Sequence, residues 1–89
     1  MIKSAITISN KLGLHARASA KLTKLAGTFA CEVHLSRNGR RVNAKSIMGV
    51  MMLAAGQGTE IEIETDGGDE TAAMQALRQL IDGRFGEAE

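Results

Sequence analysis

Apolar and polar residues alternate at the start of the chain, with Ile2, Ser4, Ile6 and Ile8 on one side and Lys3, Ala5 and Thr7 on the other, the period of a half-buried strand. Residues 10–14 contain Gly13 and read as a loop. Over residues 16–26 the spacing lengthens to three and four, placing Ala18, Leu22, Leu25 and Ala26 on one stripe and predicting a helix. Gly27 is the expected left-handed C-cap. Period two returns with Phe29, Cys31, Val33 and Leu35, and Asn38-Gly39 marks a two-residue hairpin turn. Counting outward from that turn pairs Leu35 with Val42 and Val33 with Ala44, so both apolar sets meet on one face. Ser46 stands before a short apolar helix running from residue 47 to about 53, closed by Gly56 and Gly58. Residues 59–65 alternate strictly, Ile61 and Ile63 inward and Glu60, Glu62 and Glu64 outward. Asp66-Gly67-Gly68 turns the chain, and Asp69 is placed to N-cap a last helix. Ala73, Leu77, Leu80 and Ile81 are its apolar stripe, and Gly83 ends it.

The predicted order is βαββαβα. It describes an α+β fold, a two-layer open-faced sandwich in which three helices cover one face of a four-stranded antiparallel sheet. At 89 residues the chain has the length of a single domain, 1–89. One cysteine cannot form an intramolecular disulfide, and Cys31 fits a buried strand position. Neither His15 nor His34 stands at metal-ligand spacing, so no metal is expected; His34 is expected on the surface. The longest apolar stretch is too short to span a bilayer, and the first residues lack the apolar run of a secretory signal. A cytoplasmic monomer that does not insert into membranes is the expectation.

The net charge of +1 conceals a division: residues 1–46 hold nine Lys/Arg and one acid, whereas residues 47–89 hold two arginines and nine acids. A basic face for anionic ligands or acidic partners follows. Arg37, Arg40 and Arg41 around the hairpin could be an RNA contact, but with two aromatic residues the chain lacks a base-stacking platform, so no nucleic-acid partner is expected. Gly56-Gln57-Gly58 lacks the lysine and spacing of a nucleotide loop.

Chemistry is concentrated at His15, which opens the first helix. A helix N-terminus presents unpaired N–H groups and a partial positive charge, which together suit an anion. Imidazole is a nucleophile when one ring nitrogen is unprotonated. Arg17, two residues on, supplies a planar guanidinium for phosphate oxygens, and Lys21 and Lys24 continue a basic stripe. Taken singly, His15 would be a helix cap and the stripe a solvated face. Ser46 by itself is an ordinary N-cap. Ile47, Met48, Val50, Met51, Met52 and Leu53 cannot all be buried by one short helix, so Ile47, Met48 and Met51 are expected to form an exposed, adaptable docking patch rimmed by Arg17, Lys21 and Lys24.

Gly13-Leu14-His15-Ala16-Arg17 resembles the active-site signature of the HPr family, the histidine phosphocarriers of bacterial phosphoenolpyruvate-dependent phosphotransferase systems. Lys45-Ser46-Ile47-Met48-Gly49-Val50-Met51 is similar to the family's second signature, around a regulatory serine, and the likeness extends through Gly83-Arg84-Phe85-Gly86. Ala18 stands where many members have proline. The resemblance implies that His15 takes a phosphoryl group from enzyme I and hands it to an EIIA-type acceptor, with the phosphate carried on Nδ1 and steadied by Arg17. It implies that an HPr kinase/phosphorylase, where present, modifies Ser46. No cofactor is implied, and the chain would be a stoichiometric relay, not a turnover enzyme. The alternative is a mainly regulatory phospho-switch of nitrogen-branch or carbon-catabolite type.

Overall fold

A computed structural model describes residues 1–87. The period-two segments become β1 (Ile2–Thr7), β2 (Glu32–Arg37), β3 (Arg40–Asn43) and β4 (Glu60–Asp66), and the amphipathic ones α1 (Ala16–Gly27), α2 (Ile47–Met51) and α3 (Glu70–Asp82), followed by a 3₁₀ turn at Arg84–Gly86. The strands form one antiparallel sheet in the order β1-β4-β2-β3. Leu35 pairs with Val42, and the Ala44 N–H donates to the Val33 carbonyl at 2.9 Å, the register that the hairpin count predicts. Asn38 (φ 51°) and Gly39 (φ 79°) are both left-handed, as a two-residue turn of the I′ type requires.

One apolar core lies between sheet and helices. The sheet contributes Ile6, Ile8, Val33, Leu35, Ile61 and Ile63; α1 gives Ala18, Leu22 and Ala26; α3 gives Ala73, Met74, Leu77 and Ile81. Met74 takes the buried place on α3 that the stripe assigns to Leu80, which is only partly covered. On the opposite face Glu64 points outward as expected yet is buried, because Arg41 Nη2 lies over it at 2.6 Å and Lys3 Nζ approaches to 4.0 Å. The Arg41 hydrogen bond holds the Glu64 carboxyl below the usual carboxylate range. His34 is half-buried on this face. Among the described residues no helix is long and apolar enough to cross a membrane.

Several ends differ from the pattern. α1 runs through Gly27, which is not left-handed, and stops at Thr28 (φ −78°), whose Oγ1 donates to the Leu25 carbonyl at 2.7 Å. β2 begins at Glu32, not Phe29, since residues 30 and 31 bond elsewhere: the Ala30 and Cys31 N–H groups both donate to the Asp69 carboxylate, each at 2.8 Å. Asp69 therefore does not cap its own helix; it ties the entry of β2 to the start of α3. α2 ends at Met51, two residues early, and the hairpin arginines gather the carbonyls that follow it. Arg40 Nη1 donates to Met52 O (2.9 Å), and Arg37 Nη1 to Leu53 O (2.8 Å) and Ala54 O (3.0 Å). With Arg41 on Glu64, all three hairpin arginines make contacts within the fold.

The Asp69 tether gives a pH test. The Ala30 amide foremost, and the Cys31 groups after it, hold the Asp69 carboxyl below its usual value. A depressed folded value means that its contribution to stability is complete above the ordinary aspartate range, about pH 4, and drains away as the pH falls through the lower folded value. Asp69→Asn, which sets an amide donor against one of the two N–H groups, should lower Tm at neutral pH. The difference from the unaltered protein should narrow in thermal melts taken below about pH 4. A gap that stays constant down to acid would show that the carboxylate charge plays no part.

Candidate functional site

The loop before α1 is built around Gly13 (φ +64°), where a Cβ would lie 2.4 Å from the Ala55 carbonyl oxygen and 2.6 Å from Gly56 Cα. Only glycine allows backbone to approach backbone this closely. The next amide, Leu14 N–H, donates to Ala55 O at 2.8 Å, and the Leu14 side chain is buried. His15 then stands at the N-cap of α1 in extended conformation (φ −73°, ψ 178°), its carbonyl accepting the helix's first hydrogen bond from Ser19 N–H.

The imidazole does not cap the helix. The amides of Ala16, Arg17 and Ala18 have no intrahelical carbonyl to meet, and no acidic residue occupies the first turn. An anion brought to His15 would thus face open N–H groups and the positive end of α1, with nothing like-charged in that turn. Proline at position 18 would remove one of these donors; Ala18 keeps it.

His15 is not fully exposed, as its position suggests, but half-buried: its side chain keeps 25% exposure, because Nε2 lies 2.6 Å from Glu87 Oε2. The other carboxylate oxygen of Glu87 accepts from Asn10 Nδ2 at 2.9 Å, and the same amide donates to Gly13 O at 2.8 Å. The Asn10 amide foremost, followed by His15 and with Lys21 nearby, keeps the Glu87 carboxyl below its usual range. Sequence reasoning missed Glu87. Nothing in its local pattern marks it, and it meets His15 across 72 residues.

Arg17 is exposed one residue into α1, and among the described residues no hydrogen bond or ion pair holds it. Lys24 is exposed in the last turn. Lys21 is drawn elsewhere, donating from Nζ to Phe85 O at 2.6 Å. Ser46 is exposed, and its Oγ accepts from Gly49 N–H at 3.2 Å, the expected cap. Of the α2 residues, Val50 is buried while Ile47 (39%), Met48 (66%) and Met51 (39%) remain exposed. Met52 (57%) and Leu12 (69%) are exposed large apolar side chains as well. α1 packs beside α2, so the surface adjoins the helix that His15 opens.

Residues 2–83 match the family model described as the PTS HPr component phosphorylation site. The chain is 66% identical to the phosphocarrier protein HPr of Cupriavidus necator and 62% identical to that of Neisseria meningitidis, in each case over the full length of both chains. The crystal structure of an HPr from Thermoanaerobacter tengcongensis superimposes with a TM-score of 0.97 at 40% identity, with complete coverage of both chains. Its fold is that of the α+β sandwich described above. The chain belongs to the HPr family of phosphocarrier proteins of the phosphotransferase system.

Proposed function

We propose that His15 is the residue on which this chain, acting as one carrier domain over residues 1–89, bears its phosphoryl group. The donor is phospho-enzyme I and the acceptor an EIIA-type protein. The observation that carries this reading is a half-exposed imidazole at a helix N-terminus whose first-turn amides it leaves uncapped. Phosphoryl transfer is chiefly positioning and charge stabilisation. Here the α1 terminus faces the transferred group, and Arg17 swings a bidentate guanidinium onto its oxygens. The protein is a relay consumed and regenerated stoichiometrically, working as a cytoplasmic monomer. Ile47, Met48 and Met51 dock both partners, with Arg17, Lys24 and, through its stem, Lys21 at the rim.

Ser46 is the regulatory site in this reading, a substrate for an HPr kinase/phosphorylase. Its hydroxyl is exposed at the start of the helix that carries the docking residues. Lys45, the neighbouring cation, does not wait for a phosphate: its Nζ donates to Phe29 O at 2.8 Å. A Ser46 phosphate, about −1.5 to −2 charges, exceeds the single charge of Lys45 and would leave net negative charge facing the partner. Partners that accept a basic rim present acid, and like charges brought together at an interface cost several kcal/mol.

Two outcomes check this reading. His15→Ala should fold, since the imidazole contributes no helix cap, and should acquire no acid-labile phosphate when incubated with phosphoenolpyruvate and enzyme I; label appearing on His34 instead would contradict the assignment. Ser46→Asp should accept phosphate at least ~10-fold more slowly at limiting enzyme I and low salt, a penalty of about 1.4 kcal/mol, with recovery as salt is raised. Ser46→Ala should transfer normally and lose about 1 kcal/mol of stability with its cap. Equal rates for Ser46→Asp and the unaltered protein would remove the electrostatic gate.

A further inference from the structure

The chain after α3 follows an unfavourable course to reach His15. Arg84 and Phe85 both adopt φ 56°, the left-handed region that side chains other than glycine, asparagine and aspartate rarely enter. Two such residues in succession are held by their surroundings. Phe85 is 1% exposed in the core, and its carbonyl accepts from Lys21 of α1. The Glu87 N–H closes the turn onto Arg84 O at 2.9 Å. What this bend delivers is a carboxylate beside His15. Strain kept at one place by several independent contacts points to a use for what it positions.

The hydrogen bonding at that carboxylate is fully assigned by donor count. Asn10 is completely buried, and the two hydrogens of its Nδ2 go to Gly13 O and Glu87 Oε1. Glu87 Oε2 then faces His15 Nε2 at 2.6 Å, a charge-assisted distance. An ionised carboxylate has no proton to give, so the proton between them belongs to Nε2. In the neutral ring that leaves Nδ1 with a free lone pair.

We propose that Glu87 is a positioning residue for phosphoryl transfer: locked by Asn10, its carboxylate fixes the Nε2–H tautomer of His15 and thereby makes Nδ1 the nucleophile. This rests on the reading of His15 as the carrier residue and names what prepares it. In the step itself, the Nδ1 lone pair forms the new N–P bond. The N–P bond to the phosphohistidine donor, whose other ring nitrogen carries a proton, breaks with its electron pair returning to the donor nitrogen, and the donor leaves as a neutral imidazole. The His15 ring keeps its Nε2 proton and becomes a phosphoimidazolium cation, whose positive charge develops directly against Glu87. The carboxylate therefore favours the transition state over the neutral starting ring, as a buried aspartate does behind the histidine of a serine-protease triad. Onward transfer reverses the same bookkeeping.

The test uses the full chain, unaltered and as Glu87→Gln, Glu87→Ala and Glu87→Asp. Nitrogen-15 chemical shifts of the His15 ring, recorded above the histidine titration range, report which nitrogen carries the proton and need no phosphoryl donor. The unaltered protein should show Nε2 protonated; Glu87→Gln, whose amide can donate to Nε2, should shift the ring toward the other tautomer. Phosphorylation by phospho-enzyme I should fall about tenfold in kcat with KM little changed in Glu87→Gln and Glu87→Ala. Glu87→Asp, which keeps the charge, should recover part of it. An unchanged tautomer in Glu87→Gln and Glu87→Ala, or an unchanged kcat in both, would overturn the proposal. Should the unaltered protein take no phosphate from enzyme I, the carrier reading fails, and the ring measurement still decides whether Glu87 sets the tautomer.

Discussion

The close approach of two backbone segments at Gly13 is the constraint on which the rest of the site depends. With φ +64° and no room for a Cβ against Ala55 and Gly56, the loop lies flat on the chain that leaves α2. The Leu14 N–H bonds Ala55 O there, and the next residue is His15. One contact thus sets two things at once: where α1 begins, and where that beginning sits relative to the exposed apolar residues of α2. His15 and the exposed apolar side chains of α2 become parts of one rigid face.

Charge is used in the same economical way. The basic excess of residues 1–46 suggests a broad cationic face, yet much of it is turned inward or along the surface to satisfy the fold. Arg37 and Arg40 collect carbonyls at the end of α2, Arg41 covers Glu64, Lys45 holds Phe29 O and Lys21 holds Phe85 O. Arg17 and Lys24 are left exposed beside the apolar surface. The result is a small cationic rim whose arginine stands in the first turn of α1. α2 is short, five residues, and its Met48, Val50 and Met51 carbonyls accept from the N–H groups of Met52, Leu53 and Ala54, while the arginines bind the next carbonyls, those of residues 52–54.

Most of the architecture was legible because it rests on local periodicity. The alternation in residues 59–65, the Asn38-Gly39 turn and the Leu35–Val42 pairing each follow from spacing alone, and all appear in the structure. That His15 and Ser46 stand at the starts of α1 and α2, with Arg17 in the first turn, was legible from the motif and the helix pattern. The features that escaped share a different origin: each is a polar contact across a long stretch of chain. Asp69 looks like an N-cap until the amides of Ala30 and Cys31, almost forty residues earlier, are seen to claim it. Gly27 looks like a left-handed cap, but Thr28 closes that turn with its own hydroxyl. Glu87 has no local role at all; its meaning exists only once Asn10 and His15 have been brought to it. Periodicity reports which face is buried, whereas it carries no record of which distant donor a carboxylate will meet.

The most direct check of this account is amide hydrogen exchange at Leu14 in the unaltered protein. If the Gly13 approach is a permanent part of the folded state, the Leu14 N–H, bonded to Ala55 O, opens only with the whole molecule. Its exchange should then be as slow as that of Ile63 in the central strand β4. Exchange as fast as that of exposed Gly39 in the hairpin turn would contradict the account, since the His15 loop would then move independently of α2.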